Sequence, residues 1–169
     1  TAEQADGRAI AGAGNVFVTA LGSAEVNLSG ITATGTVSVN VPSTVTLDTD
    51  TNLGDASVTV ASGQTLTLTA EQADGRTISG DGAVAITGSI TDGDFSNISS
   101  DLDLSGATLN GDTTLPDVAV DQTLTLSATQ ADGTDVSGDG TVAIVGDDTE
   151  TVDVSGLGTT VTFSSLGAL

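Results

Sequence analysis

Apolar and polar residues alternate along most of this chain. A typical segment places apolar side chains at every second position and closes on a small or turn-forming residue, as in TVSVNV from Thr36 and TLTLTA from Thr65. Neighbouring side chains of a β-strand point to opposite faces, so the pattern predicts short strands with one buried face. The segments start at Asn15, Glu25, Thr36, Thr44, Ser57, Thr65, Ala83, Asp101, Asp117, Thr123, Thr141, Thr151 and Thr160.

One phrase recurs along the chain. TAEQADGR opens the sequence at Thr1, returns unchanged at Thr69, and has a looser copy, SATQADGT, at Ser127. A Thr or Ser followed three residues later by Gln is a capping box, and the Gly after it ends a helix, so each copy predicts one helical turn at a corner between strands. We therefore expect a single repetitive β domain over 1–169, with units starting near 1, 69 and 127.

Two further motifs follow the phrase. SGDG at Ser79 and Ser137, and its relative AGAG at Ala11, predict tight turns in which glycine adopts positive φ. A second family, EVNLSGIT, DLDLSGAT and TVDVSGLG, starts at Glu25, Asp101 and Thr151 and gives each unit a looser second half.

Two all-β architectures fit short strands that start about every ten residues. We favour a β-solenoid, similar to a parallel β-helix, whose stacked coils have one-turn helical corners. The alternative is a β-sandwich, either in tandem or strand-exchanged between subunits. Sandwich modules usually carry a large aromatic core anchor and repeat nearer ~100 residues, whereas this chain has only three Phe and units of 58 to 68 residues. The expected inward residues are Val16, Val26, Leu28, Val37, Val39, Leu66, Leu68, Val84, Ile86, Leu102, Leu104, Leu124, Leu126, Val142, Ile144, Val152 and Val154.

The charge balance excludes several partners. The chain has 23 acidic residues against Arg8 and Arg76, no Lys and no His, for a net charge of −21. Nucleic-acid phosphates and anionic membrane surfaces both need basic residues, so we expect neither as a partner. No apolar run approaches the ~20 residues of a membrane span. The start at Thr1, without an initiator Met or a signal peptide, predicts a processed product or a fragment.

The best metal candidate is the segment from Asp48 to Asp55. Oxygen-bearing side chains at alternate positions followed by Gly are typical of calcium loops, so calcium is the one cofactor considered, with Asp48, Asp50, Asn52 and Asp55 as its ligands. Alternate carboxylates also occur on the solvent face of an ordinary strand that runs into a turn, and this interpretation stays open. Asp92-Gly93-Asp94 and Asp147-Asp148 are weaker candidates.

Residue types needed for catalysis are missing. Without His or Cys there is no nucleophile–base pair of a familiar kind, and no zinc, haem or iron–sulfur site. Paired carboxylates could serve glycoside hydrolysis, but aromatic side chains for sugar stacking are nearly lacking. We therefore expect no enzyme and no catalytic residue. The rival function is binding of ice or polysaccharide through outward threonines.

The match between Thr65–Gly88 and Thr123–Gly146, with a fainter copy over Thr1–Ala20, resembles repeats in large secreted bacterial surface proteins. It is most similar to the acidic, cysteine-free adhesins of aquatic bacteria. The resemblance implies export, a cell-surface or filament location, and a structural or adhesive role, with calcium rigidifying linked modules. The partners would be neighbouring repeats or other copies of the chain, joined by strand addition, and surface glycans.

Overall fold

The computed structural model describes residues 1–22, 25–146 and 152–164, and within them the chain forms a parallel β-solenoid of about eight turns. Every strand pairing is parallel. The solenoid expectation is thereby confirmed, because a β-sandwich of this kind pairs its strands antiparallel. The strands are β1 (Ile10–Gly12), β2 (Val16–Val18), β3 (Ile31–Ala33), β4 (Val37–Val41), β5 (Val45–Thr46), β6 (Ser57–Val60), β7 (Thr65–Thr69), β8 (Ile78–Thr91), β9 (Ile98–Asp103), β10 (Ala107–Asn110), β11 (Thr123–Ser127), β12 (Thr141–Val145) and β13 (Thr160–Ser164).

Three one-turn helices form the predicted corners. They are α1 (Ala2–Ala5), α2 (Ala70–Ala73) and α3 (Ala128–Ala131), one in each copy of the phrase. Each begins after a Thr or Ser and carries a complete capping box with the Gln three residues later. Gly7, Gly75 and Gly133 follow with φ between +62° and +66°, the left-handed conformation that ends a helix at little cost in glycine.

The coil, and not the phrase, is the structural repeat. Val58 pairs with Ile78, twenty residues on, and Ile78 pairs with Ile98. A coil therefore has about twenty residues, and each interval between two phrases holds about three coils. The sequence concealed this period because the three coils of one unit carry different residues, and only every third coil repeats the phrase.

The core runs along the axis of the solenoid as the alternation predicts. Thirteen of the expected inward residues are buried, and the other four, Val16, Val37, Val152 and Val154, are partly buried and pack against the core. Apolar side chains of successive coils thus lie in columns, such as Val45, Leu66, Val84 and Leu102. Phe95 is fully buried among the aliphatic residues, although no alternating segment includes it.

Three segments that alternate like strands are not strands. EVNLSG (25–30) and DVAVDQ (117–122) contain only single bridging residues, Asn27 and Val118, and the described part of TVDVSG (151–156) contains none. Thr151 itself lies outside the described residues. The physical reason is local turn chemistry. The side-chain oxygens of Asn27 and Asp153 accept the backbone N–H two residues on, and Asp121 has φ of 67°, so the backbone turns before a ladder can form.

Candidate functional site: the stacked corners

The phrase residues use their polar groups on the neighbouring coils. In α2, the Gln72 carbonyl oxygen Oε1 accepts the Thr69 N–H at 2.9 Å and closes the capping box. The other end of the same amide, Nε2, donates to the carbonyls of Asp48 at 2.8 Å and Thr51 at 3.0 Å in the preceding coil. Gln72 therefore caps its own helix and fastens it to the coil beneath.

Gln130 repeats this arrangement in α3. Its Oε1 accepts the Ser127 N–H at 2.8 Å, and its Nε2 donates to the carbonyls of Leu104 at 2.8 Å and Ala107 at 3.0 Å. Two copies of the phrase thus make the same junction although the coils beneath them differ in sequence. The capping-box pattern predicted the first half of this role, and nothing in the sequence indicated the second.

The phrase aspartates fasten the coil above. Asp6 accepts the Asn27 N–H at 2.7 Å, and Asp74 accepts the Asp94 N–H at 2.7 Å. In the third unit, the N–H of Asp153 donates to Asp132 at 2.7 Å. Each acceptor lies 20 or 21 residues before its donor, which is one coil. The phrase is therefore a connector that binds downward through Gln and upward through Asp.

Each residue that donates its N–H to a phrase aspartate also opens a turn with its own side chain. Asn27 accepts the Ser29 N–H at 3.0 Å, Asp94 accepts the Ser96 N–H at 2.9 Å, and Asp153 accepts the Ser155 N–H at 3.0 Å. The hydrogen bonds of Ser96 hold the pKa of Asp94 below its usual value, and those of Ser155 do the same for Asp153. Both carboxylates are consequently stabilised in their charged form.

Asn27, Asp94 and Asp153 form a column of turn residues, and this column corrects the membership of the second motif family. EVNLSGIT and TVDVSGLG are equivalent, because Asn27 and Asp153 both lie one coil above a phrase aspartate. The third member of the column is Asp94, in DGDFSN, whereas Asp103 of DLDLSGAT lies beside Thr125 in the strand ladder. The mistake arose because Asp103 makes the same local turn, accepting the Ser105 N–H at 2.9 Å, at a different corner of the coil.

The SGDG motif permits close contact between coils. A Cβ on Gly80 would overlap the carbonyl of Val60, and one on Gly82 would overlap that of Ala61. Gly138 and Gly140 meet Val118 and Ala119 in the same way. The predicted positive φ is found at the first glycine of each pair, +114° and +117°. The second glycine is required by space alone, which a turn prediction does not reveal.

The two arginines serve the corners unequally. Arg76 is partly buried, and it donates from Nε to the Gln72 carbonyl at 2.8 Å and from Nη1 to the Ala56 carbonyl of the preceding coil at 2.7 Å. Burial lowers the pKa of its guanidinium, and the nearby Asp55 carboxylate opposes that effect. Arg8 is exposed and donates to the Gln4 carbonyl at 2.7 Å. Thr134 stands in the third copy and donates to the Gln130 carbonyl at 2.6 Å.

Three of the four residues proposed for calcium have other contacts. The Asp48 carbonyl accepts hydrogen bonds from Gln72 and from the Thr51 N–H, and the Asn52 side-chain oxygen accepts the Gly54 N–H at 2.9 Å. Asp55 lies near Arg76. Among the described residues no three His, Cys, Asp or Glu side chains converge as a metal site would require. Asp147 and Asp148 lie outside the described residues.

A groove of about 450 Å³ lies beside α3. Its lining consists of apolar groups, the amide of Gln130 and hydroxyls, among them those of Thr108, Thr113, Thr129 and Thr134. None of the residues that line it is acidic or basic. The Thr113 hydroxyl is buried without a hydrogen-bond partner in the described chain. A groove with this lining offers hydrogen-bond donors and acceptors beside apolar surface.

The outward faces of the strands carry columns of small polar residues. One column contains Thr67, Ala85, Asp103, Thr125 and Ala143, each one coil above the last. Thr46 and Thr162 extend it at its two ends. The threonines are therefore aligned, as the alternation predicts, but alanine and aspartate interrupt them.

Comparison with known proteins gives no relative. No protein-family model matches the sequence, and no curated protein or solved structure is significantly similar to it. In the part of the chain that the structure describes, none of the helices has the length and apolar character needed to cross a membrane.

Proposed function

We propose that this chain is a non-enzymatic, extracellular structural or adhesive module of a bacterial surface protein or filament, which holds attached parts at a fixed distance. The observation that carries the proposal is that the polar side chains of the phrase bind the backbone of neighbouring coils. Gln72, Asp74 and Arg76 all bind backbone groups of adjacent coils, so the most repeated residues in the chain serve continuity along its axis.

The mechanics of the fold support a spacer. Each coil is fastened to the next by a backbone ladder, by core columns and by side-chain bonds at the corners. Coils repeat at ~4.8 Å along the axis, so eight turns extend for about 40 Å. Each coil contacts only its neighbours, so the structure is quasi-one-dimensional. Its length can change through the number of coils while the packing of the core stays the same.

Charge and composition support an extracellular position. A net charge of −21 keeps the outward surface solvated in salty water and keeps copies from aggregating side by side. Calcium bound diffusely or at Asp48, Asp50, Asn52 and Asp55 would relieve the repulsion between carboxylates and rigidify the rod. The partners proposed are neighbouring repeats or other copies of the chain, and surface glycans.

Small-angle X-ray scattering of the isolated chain tests the spacer. The expected result is a rod about 40 Å long whose dimensions do not change between low and high ionic strength. A second measurement screens hydrolase and lyase substrates. A flexible particle, or turnover that is lost with one Asp→Asn substitution, would overturn the proposal.

The aligned threonines favour one alternative, binding of ice or polysaccharide. Thr65 and Thr67 lie two residues apart on β7, and Thr123 and Thr125 repeat the pair on β11. Hydroxyls held at fixed spacing on a parallel sheet can order water or form hydrogen bonds with the hydroxyls of a sugar. Thermal hysteresis, or glycan-array binding that is lost in the Thr67→Val/Thr125→Val variant, would favour this function over a passive spacer.

A further inference from the structure

The groove beside α3 coincides with the positions at which the third copy of the phrase departs from the other two. TAEQADGR is identical in the first two copies, and SATQADGT differs from it at three positions, Ser127, Thr129 and Thr134. All three of these residues line the groove. The departures from the repeat are therefore concentrated on the wall of one groove.

The substitutions remove charge from this corner. Thr129 stands where α2 has Glu71, and Thr134 stands where the second copy has Arg76. The groove that contains Arg76 is also lined by two aspartates, so the second corner presents both signs of charge. The groove beside α3 is lined by neutral residues, although the chain carries 23 acidic residues. The third corner is thus an uncharged form of the same template.

The change from arginine to threonine also shortens the side chain at this position. The Arg76 side chain crosses from α2 to the coil beneath, where its Nη1 donates to the Ala56 carbonyl at 2.7 Å. Thr134 is too short for such a crossing, and its hydroxyl donates to the Gln130 carbonyl of its own helix at 2.6 Å. The groove beside α3 has a volume of about 450 Å³, which is within the range of small-molecule sites.

The hydroxyls of the groove have unused hydrogen-bonding capacity. The Thr113 hydroxyl is buried without a partner in the described chain. The Thr108 and Thr129 hydroxyls also make no hydrogen bond within the described residues. A buried hydroxyl without a partner costs free energy, and a ligand atom that bonds it recovers that cost. Of the hydroxyls in the groove, Thr113 therefore gains most from a ligand that brings in a hydrogen-bonding atom.

Apolar side chains form the rest of the wall. Ala107, Leu109 and Leu115 pack against the core but are only partly buried, and they line the groove beside the hydroxyls. A purely apolar ligand would leave the hydroxyls unpaired. An anionic ligand would meet a chain of net charge −21 in a groove without a basic side chain. The lining therefore favours a neutral ligand that carries apolar surface and hydroxyl groups close together.

From these observations we propose that the groove beside α3 is a binding site for a neutral carbohydrate. A sugar ring has C–H groups on its faces and hydroxyls around its rim, which matches a wall of leucine and threonine side chains. The ring packs on Leu109 and Leu115, and its hydroxyls bond Thr113, Thr129 and Thr134. This inference rests on the proposed adhesive role and deepens it, because it names where a surface glycan binds and which class of glycan is excluded.

Titration followed by nuclear magnetic resonance tests the site. No phenylalanine lines the groove, so aromatic stacking does not contribute and the affinity is modest, which this measurement tolerates. Maltose, lactose, mannobiose and galactobiose are added to the isotopically labelled 169-residue chain. At least one of them should cause saturable shifts confined to the signals of the groove. Digalacturonic acid, which places a carboxylate on each ring of galactobiose, should cause none.

Thr113→Val separates binding of a ligand from a structural role. The substitution removes a buried hydroxyl without a partner, so the melting temperature should stay the same or rise. Binding of the sugar should weaken by about three- to tenfold, because one hydrogen bond in the site is lost. The matched control is Thr159→Val. The Thr159 hydroxyl is also buried without a partner among the described residues, but it lies outside the groove, so this variant should bind as the parent does.

The double variant Thr129→Glu/Thr134→Arg rebuilds the third corner on the pattern of the second. Arg76 shows that this kind of corner accommodates arginine, so the melting temperature should be retained. The longer, charged side chains occupy the groove, and sugar binding should be lost. The control Thr32→Glu/Thr34→Arg adds the same pair of charges at exposed threonines of the first unit and should bind as the parent does.

The outcomes distinguish this inference from the proposed function. The groove is overturned as a site if the neutral sugars cause no saturable shifts, if digalacturonic acid binds as well as galactobiose, or if Thr113→Val binds as the parent does. Binding that survives Thr113→Val and is lost in Thr67→Val/Thr125→Val would assign the sugar to the outward strand face instead. None of these results changes the rod dimensions or the absence of turnover on which the spacer proposal depends. A flexible or catalytic chain would overturn that proposal instead.

Discussion

The carboxylate of Asp74 accepts the backbone N–H of Asp94 at 2.7 Å, and Asp94 lies one coil further along the chain. This bond joins a helical corner to the turn above it, and Asp6 and Asp132 make the same bond in the other two units. A residue that looks like an ordinary turn aspartate in the sequence is therefore a connection between coils.

Asp74→Ala should lower the free energy of unfolding by about 1 kcal/mol, because an exposed charge-assisted hydrogen bond to the backbone is lost. Asp74→Asn keeps the acceptor oxygen and should retain most of the stability. The measurement is urea unfolding followed by circular dichroism. Asp112→Ala is the charge control, since the Asp112 carboxylate accepts no hydrogen bond within the described residues. Equal losses for Asp74→Ala and Asp112→Ala would show that only charge matters.

Gly82→Ala should be much more damaging than the same change at Gly14. The two glycines hold corresponding positions, but a Cβ on Gly82 would overlap the Ala61 and Gln64 carbonyls, whereas one on Gly14 meets nothing. We expect a loss of about 1–3 kcal/mol at Gly82 and almost none at Gly14. Similar losses of stability at both positions would show that the substitution acts through backbone conformation and not through contact between coils.

The alternation predicted the strands and most of the core, and the scarcity of aromatic residues with the short repeat favoured the solenoid over a sandwich. Leu66 and Leu68, or Val142 and Ile144, are buried because a period of two fixes which face each side chain takes. The coil length and the equivalence of Asp94 with Asn27 could not be predicted. Both depend on which coil lies above which. Coils stack with a period of about twenty residues, whereas the phrase recurs every 58 to 68 residues. The period visible in the sequence is therefore not the period of stacking. Phe95 was missed for a related reason, because a turn and not a strand places it in the core.

Arg76→Ala should destabilise the chain more than Arg8→Ala. Arg76 bonds the Ala56 carbonyl of the preceding coil as well as its own helix, so about 1–2 kcal/mol is at stake. Arg8 bonds only its own helix among the described residues. Arg76→Thr should recover part of the loss, because Thr134 shows that a hydroxyl also satisfies the helix carbonyl. Thermal melts of the three variants at one ionic strength provide the comparison.

Acid should weaken the turns at Asp94 and Asp153. The pKa of each carboxyl is lowered in the folded chain by its serine. A lowered folded pKa stabilises the fold above the unfolded value, near pH ~4, and the stabilisation is lost as the pH falls through the folded value. The Asp94→Asn/Asp153→Asn variant keeps the acceptors, as Asn27 does naturally. The stability of the parent relative to this variant should therefore fall below about pH 4, and a difference that is constant with pH would contradict the assignment.

The last prediction concerns cations. The chain carries 23 acidic residues and only two arginines. The carboxylates repel one another, and this repulsion weakens the compact state. Because the Debye length falls from ~10 Å at 0.1 M to ~3 Å at 1 M salt, the melting temperature should rise with NaCl even without a specific site. Calcium at Asp48, Asp50, Asn52 and Asp55 would add a saturable increment at fixed ionic strength, of RT ln(1 + [L]/Kd).

Titrating calcium at fixed ionic strength into the parent chain and into Asp50→Ala separates the two effects. The Asp50 substitution should abolish the saturable increment and leave the NaCl response unchanged, with Asp112→Ala as the control for one lost charge. A melting temperature that does not change with NaCl would refute the self-repulsion argument. An increment that survives Asp50→Ala would exclude the proposed loop and assign the stabilisation to calcium distributed over the carboxylates of successive coils.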